Sequence, residues 1–341
     1  MATTNRTRLI ALGCLALLSA ARAFGWGADG HHTVGAIADQ LIAGTHAAAK
    51  VHAILGDLTL QDAAVWADCA KGVDPKKDFA YTAAGAFAAC AIFETPAGEA
   101  EMSDFVRRNT TNCVIKPGEE ICHKQYHYAD VAIERSGYAP GTVGTRDDDI
   151  VQAVVAATHV LKGDATPAPI NLKSPREALL VLAHYAGDIH QPLHVGAVYL
   201  DATGAIVDPD SGTFDPSTAT RGGNQIIVTS AAGKKHGNLH ATWDAVPASL
   251  RVPHVDAAWL AKARAVPATS GDVLSWPAQW GTGTVLAAHK ALDALPYGAQ
   301  AGHNWPVVLP AGYSSRMTGI KRQQLTLAGA RLAQLLEAIW P

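Results

Sequence analysis

The stretch AHYAGDIHQPLH, residues 183–194, carries four side chains that can bind a proton or a metal: His184, Asp188, His190 and His194. On a helix, residues four apart project from one face a single turn from each other, so His184 and Asp188 point at the same region. His190 is off that face, and His194 follows Pro192, from where the chain can curl back. Taken alone, His-x3-Asp describes a core histidine satisfied by a carboxylate. The device recurs in NLHATWDAV, where His240 and Asp244 are again four apart. Two such pairs plus His194 point to a metal, since neutral imidazole and carboxylate are donors that zinc accepts. Asp68 in VWADCAKG and His127 in KQYHYADV are candidate ligands on other segments.

Helices must position these residues, and helical patterning dominates the chain. Residues 33–43, 60–70 and 146–162 read as helices, the last opening on Asp147-Asp148-Asp149 and stopped by Gly163. Ser174-Pro175-Arg176-Glu177 is a capping box with proline at the first helical position. The helix it opens runs to about His190 and is ended by Pro192. Residues 195–232 read as a small β-hairpin region around a Gly/Asp/Pro-rich loop. Helices return from about His240, and LTLAGARLAQLLEAI near the C-terminus is an amphipathic helix that packs on the core. The expected fold is mainly α, a single helical domain over residues 26–341.

The first 25 residues stand apart. Arg6 and Arg8 precede an apolar run from Leu9 to Ala20, and Ala23-Phe24-Gly25 is a small-x-small cleavage signal, the pattern of a secretory signal peptide. No later stretch reaches the roughly 18 uninterrupted apolar residues of a membrane span, so no stable membrane insertion is expected. The expected location is outside the cell or in the periplasm. Cleavage after Gly25 leaves Cys69, Cys90, Cys113 and Cys122, an even number that fits two disulfides in any of three pairings, Cys69–Cys90 with Cys113–Cys122 being the most economical, and a cysteine zinc site is the weaker alternative. It also leaves 24 basic against 30 acidic residues, −6, a poor balance for holding nucleic acid unless something else supplies positive charge. Finally, it frees the amine of Trp26, whose pKa near 8 lets it chelate a metal together with its own carbonyl oxygen, with His31 nearby.

In this order the motifs resemble the trinuclear-zinc single-strand nucleases of the S-one/P-one type, a family related in fold and metal cluster to zinc-dependent bacterial phospholipase C. They are W-G-x-x-G-H at Trp26–His31, W-A-D-x-x-K at Trp66–Lys71, H-Y-x-D at His127–Asp130, H-x3-D-x5-H at His184–His194, G-G-N at Gly222–Asn224 and N-L-H-x-x-W-D at Asn238–Asp244. The resemblance covers essentially the whole chain after residue 25. It implies three Zn²⁺: one held by Asp68, His127, His184 and Asp188, a second by the Trp26 amine and carbonyl, His31 and a shared Asp188, and a third by His194, His240 and Asp244. His190 is outside this set and reads as structural. Three such ions would offset the −6 and concentrate positive potential in the cleft.

The resemblance further implies hydrolysis of single-stranded DNA and RNA to 5′-phosphate products, with removal of 3′-phosphates from nucleotides, by metal activation of water. Asp68 and Asp188 would serve catalysis through the metals, and Lys71 would donate positive charge to the transition state. Tyr128 would stack on the base and Asp130 would bond its edge, with Gly222 and Asn224 completing the pocket. The expected partners are single-stranded nucleic acids and nucleotides, bound by a monomer. Three departures stand out: Tyr128 where fungal members carry phenylalanine, Arg221 where an apolar residue is usual, and a long 85–123 segment holding three cysteines. The alternatives are a zinc-dependent phospholipase C, disfavoured by the short Trp26–His31 spacing and by Asp244 in place of glutamate, and a non-catalytic zinc-binding exported protein.

Overall fold

The computed structural model describes residues 26–110 and 122–341. The expected signal peptide, and Cys113 with its expected bond to Cys122, lie outside the described residues. Cys69 and Cys90 are bonded as expected.

The helices are α1 (Ala28–Ile42), α2 (His46–Leu55), α3 (Leu60–Ala63), α4 (Trp66–Ala70), α5 (Pro96–Arg108), α6 (Ile150–Leu161), α7 (Pro175–Asp188), α8 (Pro192–Val195), α9 (Leu239–Asp244), α10 (Ala257–Arg264), α11 (Trp276–Leu292) and α12 (Tyr313–Ile339). The fold is mainly α, as expected. Among the described residues, no helix is long and apolar enough to cross a membrane.

Helix α7 is central because its sequence has no polar face: every residue from Glu177 to Asp188 is buried. A helix apolar all round can only be covered on every side, and α1, α3, α4, α6 and α12 pack around it. Each charged exception is answered by a neighbour. The Ser174 hydroxyl accepts from Glu177 N, so half of the expected capping box forms. The Glu177 carboxylate completes a different contact, accepting from Arg108 Nη2 at 2.8 and 2.6 Å. Losing Arg108 would strand a fully buried carboxylate. Arg108→Leu is therefore expected to lower stability by about 3 kcal/mol, read in urea or thermal unfolding, and Glu177→Gln in the same chain to restore part of it.

Three other expectations shift at element ends. The expected helix 60–70 is two short helices, α3 and α4, parted at Ala64 and Val65. The expected start at 146 moves to Ile150, because Asp149 caps α6 by accepting from Val151 N and Gln152 N. Pro192 starts a helix: α7 ends at Asp188, and Pro192 is the first residue of α8, a position that needs no N–H.

The strands are β1 (Val73–Asp74), β2 (Ala80–Tyr81), β3 (Val131–Ala132), β4 (Gly196–Ala197), β5 (Ile226–Thr229), β6 (Lys235–Asn238) and β7 (Trp305–Val307). The hairpin expected within 195–232 instead runs through β5 and β6, past residue 232, and parallel β7 completes a sheet of order β6-β5-β7. Residues 199–219 pair only through isolated bridges, Tyr199 with Ala219 and Leu200 with Ile206, and carry a 3-10 turn at Pro216–Thr218. Strand β3 pairs in parallel with β4, bringing the segment after His127 alongside the chain after His194.

Candidate metal centre

His184 and Asp188 lie one turn apart at the end of α7, both fully buried. The break between α3 and α4 sets the His184 ring, since the carbonyl of Ala64 accepts from its Nδ1 at 2.7 Å. With the proton on Nδ1, Nε2 presents a lone pair. That lone pair faces Asp188 Oδ2 at 2.9 Å and His127 Nδ1 at 3.0 Å. His127 Nδ1 also lies 2.9 Å from Asp188 Oδ2, and Asp68 Oδ1 stands 3.7 Å from His184 Nε2 and 3.9 Å from His127 Nδ1.

The other oxygen of Asp188 faces the opposite way. Asp188 Oδ1 is 3.3 Å from His31 Nε2 and 3.6 Å from His194 Nδ1. His31 stacks on His184 with ring centroids 3.8 Å apart. Gly187 permits this approach, because a Cβ there would sit 2.8 Å from His31 Nδ1. Trp26 is fully buried beside them, its indole N–H donating to Gly187 O at 2.9 Å, and Gly27 N donates to Asp244 O at 3.0 Å. The first residue of the described chain is thereby pinned between α7 and α9.

On the far side, His194 of α8 and His240 and Asp244 of α9 converge. His194 Nδ1 donates to His127 O at 2.7 Å and His240 Nδ1 to Gly222 O at 2.8 Å, so both rings turn Nε2 inward. These nitrogens lie 3.8 Å and 3.5 Å from the Asp244 carboxylate. Backbone acceptors behind a histidine fix its tautomer and aim, as is usual for metal ligands.

The donor atoms fit a metal centre. His31, Asp68 and His184; His127, His184 and Asp188; and His194, His240 and Asp244 form three buried groups whose donor atoms lie within 4.8 Å of one another. His31 Nε2, His194 Nε2, Asp188 Oδ1 and Asp244 Oδ2 are buried without a hydrogen bond. Burial lowers His31 to about 4 and His240 to about 3, which keeps both neutral. Burial works to raise Asp188, but the imidazoles of His184, His194 and His31 hold it well below the carboxylate range. Burial opposes Asp68 too, yet Lys71 and the histidines hold it at about 2. Burial pushes Asp244 well above the carboxylate range, and Asp188 and Asp68 outweigh burial to raise His184. A cation at each place would ionise Asp244 and substitute for the His184 proton.

A cleft of about 1100 Å³ opens over these groups, lined by Asp68, His127, His194 and His240. Lys71, Tyr128, Asp130, Gly222 and Asn224 line it as well, so the residues singled out for catalysis and base recognition share one cavity with the metal-ligand candidates. Lys71 Nζ sits 2.8 Å from Asp68 Oδ1. The Tyr128 hydroxyl donates to Gln125 Oε1 at 2.7 Å. Asn224 is tied to its own turn, donating from Nδ2 to Arg221 O. Disulfide Cys69–Cys90 joins α4 to the segment that follows Phe87, a residue that also lines the cleft.

His190 stands outside the cluster. Its Nδ1 donates to Ala186 O at 2.7 Å, its Nε2 accepts from Arg331 Nη1 at 2.9 Å, and its ring lies against Trp280. His190→Ala is expected to leave metal content unchanged while lowering stability by about 1–3 kcal/mol, because Arg331 loses its acceptor; metal analysis and a melting curve check both halves.

Sequence reasoning missed two positioning residues. Gln191, fully buried, donates from Nε2 to Asp244 Oδ1 at 2.7 Å and accepts from Leu193 N, linking α8 to the ligand on α9. Lys321 of α12, 1% exposed, donates to Thr242 O and Ala245 O and caps the end of α9. Gln191 had a signal in its place before Pro192, the capping position of a helix. Lys321 had none beyond being a lysine on an apolar face.

Comparison with known proteins accords with this geometry. A family model described as S1/P1 Nuclease matches residues 26–341. Endonuclease 5 of Arabidopsis thaliana is 35% identical over 108 residues, 29% of this chain and 28% of that protein. The aligned stretch thus spans less than a third of that relative's length.

Proposed function

The chain belongs to the S1/P1 nuclease family, and we propose that it is an exported, zinc-dependent hydrolytic nuclease that cleaves single-stranded DNA and RNA to 5′-phosphate products and removes 3′-phosphates from nucleotides. The observation that carries this reading is the convergence of three His/Asp groups, Lys71 and Tyr128 on one cleft. We assign three zinc ions to the ligands Asp68, His127, His184 and Asp188; Trp26, His31 and Asp188; and His194, His240 and Asp244. Removal of residues 1–25 provides the Trp26 amine, and residues 26–341 act as one domain and as a monomer.

When bound, zinc supplies Lewis acidity, polarising phosphoryl oxygens and lowering the pKa of water. The protein does the rest by placement. Asp188 directs its two oxygens to opposite sides, so one carboxylate serves the paired sites. Asp68 holds the Lys71 ammonium over the cluster, where it meets charge developing on the phosphoryl oxygens. Tyr128 offers a ring face to an unpaired base, and the Asp130 carboxylate accepts from the N–H groups of its edge. Gly222 lets the turn lie close against α8, since a Cβ there would sit 2.5 Å from Leu193 O, and Asn224 closes the pocket. A paired base cannot present its face and edge to such a slot, which gives single-strand preference a steric cause.

The test is to load the chain beginning at Trp26 with zinc and assay single-stranded DNA, RNA, duplex DNA and phosphatidylcholine. Cleavage of the single strands with 5′-phosphate ends is expected. Hydrolysis of the lipid alone would establish the phospholipase reading, and bound zinc without turnover would establish a storage role; either overturns the proposal.

A further inference from the structure

Arg221 has a left-handed backbone, φ +53°, and Gly222 at +56° and Gly223 at +83° continue the run. An L side chain in that conformation costs about 1–2 kcal/mol that glycine avoids. The turn is nonetheless firmly held. Asn224 donates to Arg221 O from both its backbone N and its Nδ2, at 3.0 and 3.1 Å, and Gly223 N and Gln225 N both donate to Thr220 O. Its next carbonyl, Gly222 O, accepts from His240 Nδ1. The strained residue is therefore fixed one position from the support of a metal-ligand candidate, and a persisting outlier at such a place points towards function.

Its side chain is exposed and lines the cleft. Other cations of the cleft are committed: Lys71 lies on Asp68, Arg146 on Asp148, and Lys124 is engaged as well. Arg221 has no carboxylate within ion-pair distance among the described residues. The chain as a whole carries a net charge of −3, so affinity for a polyanion depends on local cations such as this one. A guanidinium is also a planar fork that matches two phosphate oxygens. The cleft, at about 1100 Å³, is larger than a single nucleotide fills.

Resting on the nuclease reading above, we propose that Arg221 binds a phosphodiester next to the one that is cleaved, and so adapts the site to strands carrying several phosphates. The scissile phosphate belongs over the His/Asp groups at the base of the cleft, whereas the exposed guanidinium at its wall is placed for a neighbour along the strand.

Arg221→Gln and Arg221→Gly, as zinc-loaded chains, test this against a short single-stranded oligonucleotide and a dinucleoside monophosphate, which has one phosphodiester and no neighbour. For the oligonucleotide, KM is expected to rise about 10- to 100-fold, the worth of one charge-assisted phosphate contact, with little change in kcat. The slope of log affinity against log salt should shrink by about 0.7, one single-strand phosphate. For the dinucleoside monophosphate, kcat/KM should change by a much smaller factor. Arg221→Gly relieves the backbone strain, so a KM effect in that variant with unchanged zinc content and no fall in melting temperature is a lost contact and not a lost fold. Equal losses on both substrates, or an unchanged oligonucleotide KM, overturn the proposal. Failure of the unmutated chain to cleave either substrate would instead overturn the nuclease reading.

Discussion

Asp188→Asn is expected to abolish loading of the paired zinc sites and to lower phosphodiester hydrolysis by about 10³-fold or more, while leaving the site of His194, His240 and Asp244 loaded. The replacement is nearly isosteric, so the packing of α7 is kept. What changes is the donor set. Asp188 Oδ2 meets His127 and His184 at 2.9 Å, and Asp188 Oδ1 meets His31 at 3.3 Å. An amide presents one neutral oxygen and an N–H, so one side of the pair receives a donor hydrogen where a lone pair is needed. The readouts separate metal binding from folding. Ligands that bind only the native state stabilise it by RT ln(1 + [L]/Kd), about 2.7 kcal/mol at a hundredfold excess over Kd. Zinc should therefore raise the melting temperature of the variant less than that of the parent, with no comparable loss in zinc-free chains. A variant that keeps full zinc content and turnover would remove Asp188 from the centre.

The site was legible in the sequence wherever local geometry carried it. His184 with Asp188, and His240 with Asp244, announce themselves because a four-residue spacing on a helix fixes direction without knowledge of the rest of the fold. Their supports were not legible. The Ala64 carbonyl reaches His184 only because the expected helix 60–70 breaks there, and Gly222 reaches His240 only through a left-handed turn. Backbone groups have no sequence signature, so such contacts emerge only in three dimensions. Pro192 illustrates a different ambiguity: proline both stops helices and starts them, and the side chain of Gln191, capping α8, decides in favour of starting. The hairpin shifted for a third reason. Strand β5 needed a partner on its other edge, and that partner, β7, lies far along the chain at Trp305–Val307. Glu177 likewise fits a local capping pattern but is drawn to Arg108, because a fully buried carboxylate gains more from a guanidinium than from a backbone N–H.

A chain carrying even one residue ahead of Trp26 is expected to lose the zinc assigned to Trp26 and His31 and to fall in kcat by about 100-fold or more. Joining a residue there turns a basic amine into a planar amide nitrogen with no lone pair to give. The fold cannot absorb the change by sliding. Trp26 is fully buried with its indole held by Gly187 O, Gly27 N is bonded to Asp244 O, and a Cβ on Gly30 would sit 2.7 Å from the Trp26 Cβ. His31 alone is left on that side of Asp188, and a lone imidazole holds zinc weakly. Zinc counted per chain, before and after a protease restores the Trp26 terminus, measures the effect directly; full zinc and turnover in the extended chain would remove the amine from the ligand set. The decisive comparison adds His31→Ala. If the amine and His31 hold the same ion, either change alone empties the site and the two together do little more, whereas independent roles would multiply.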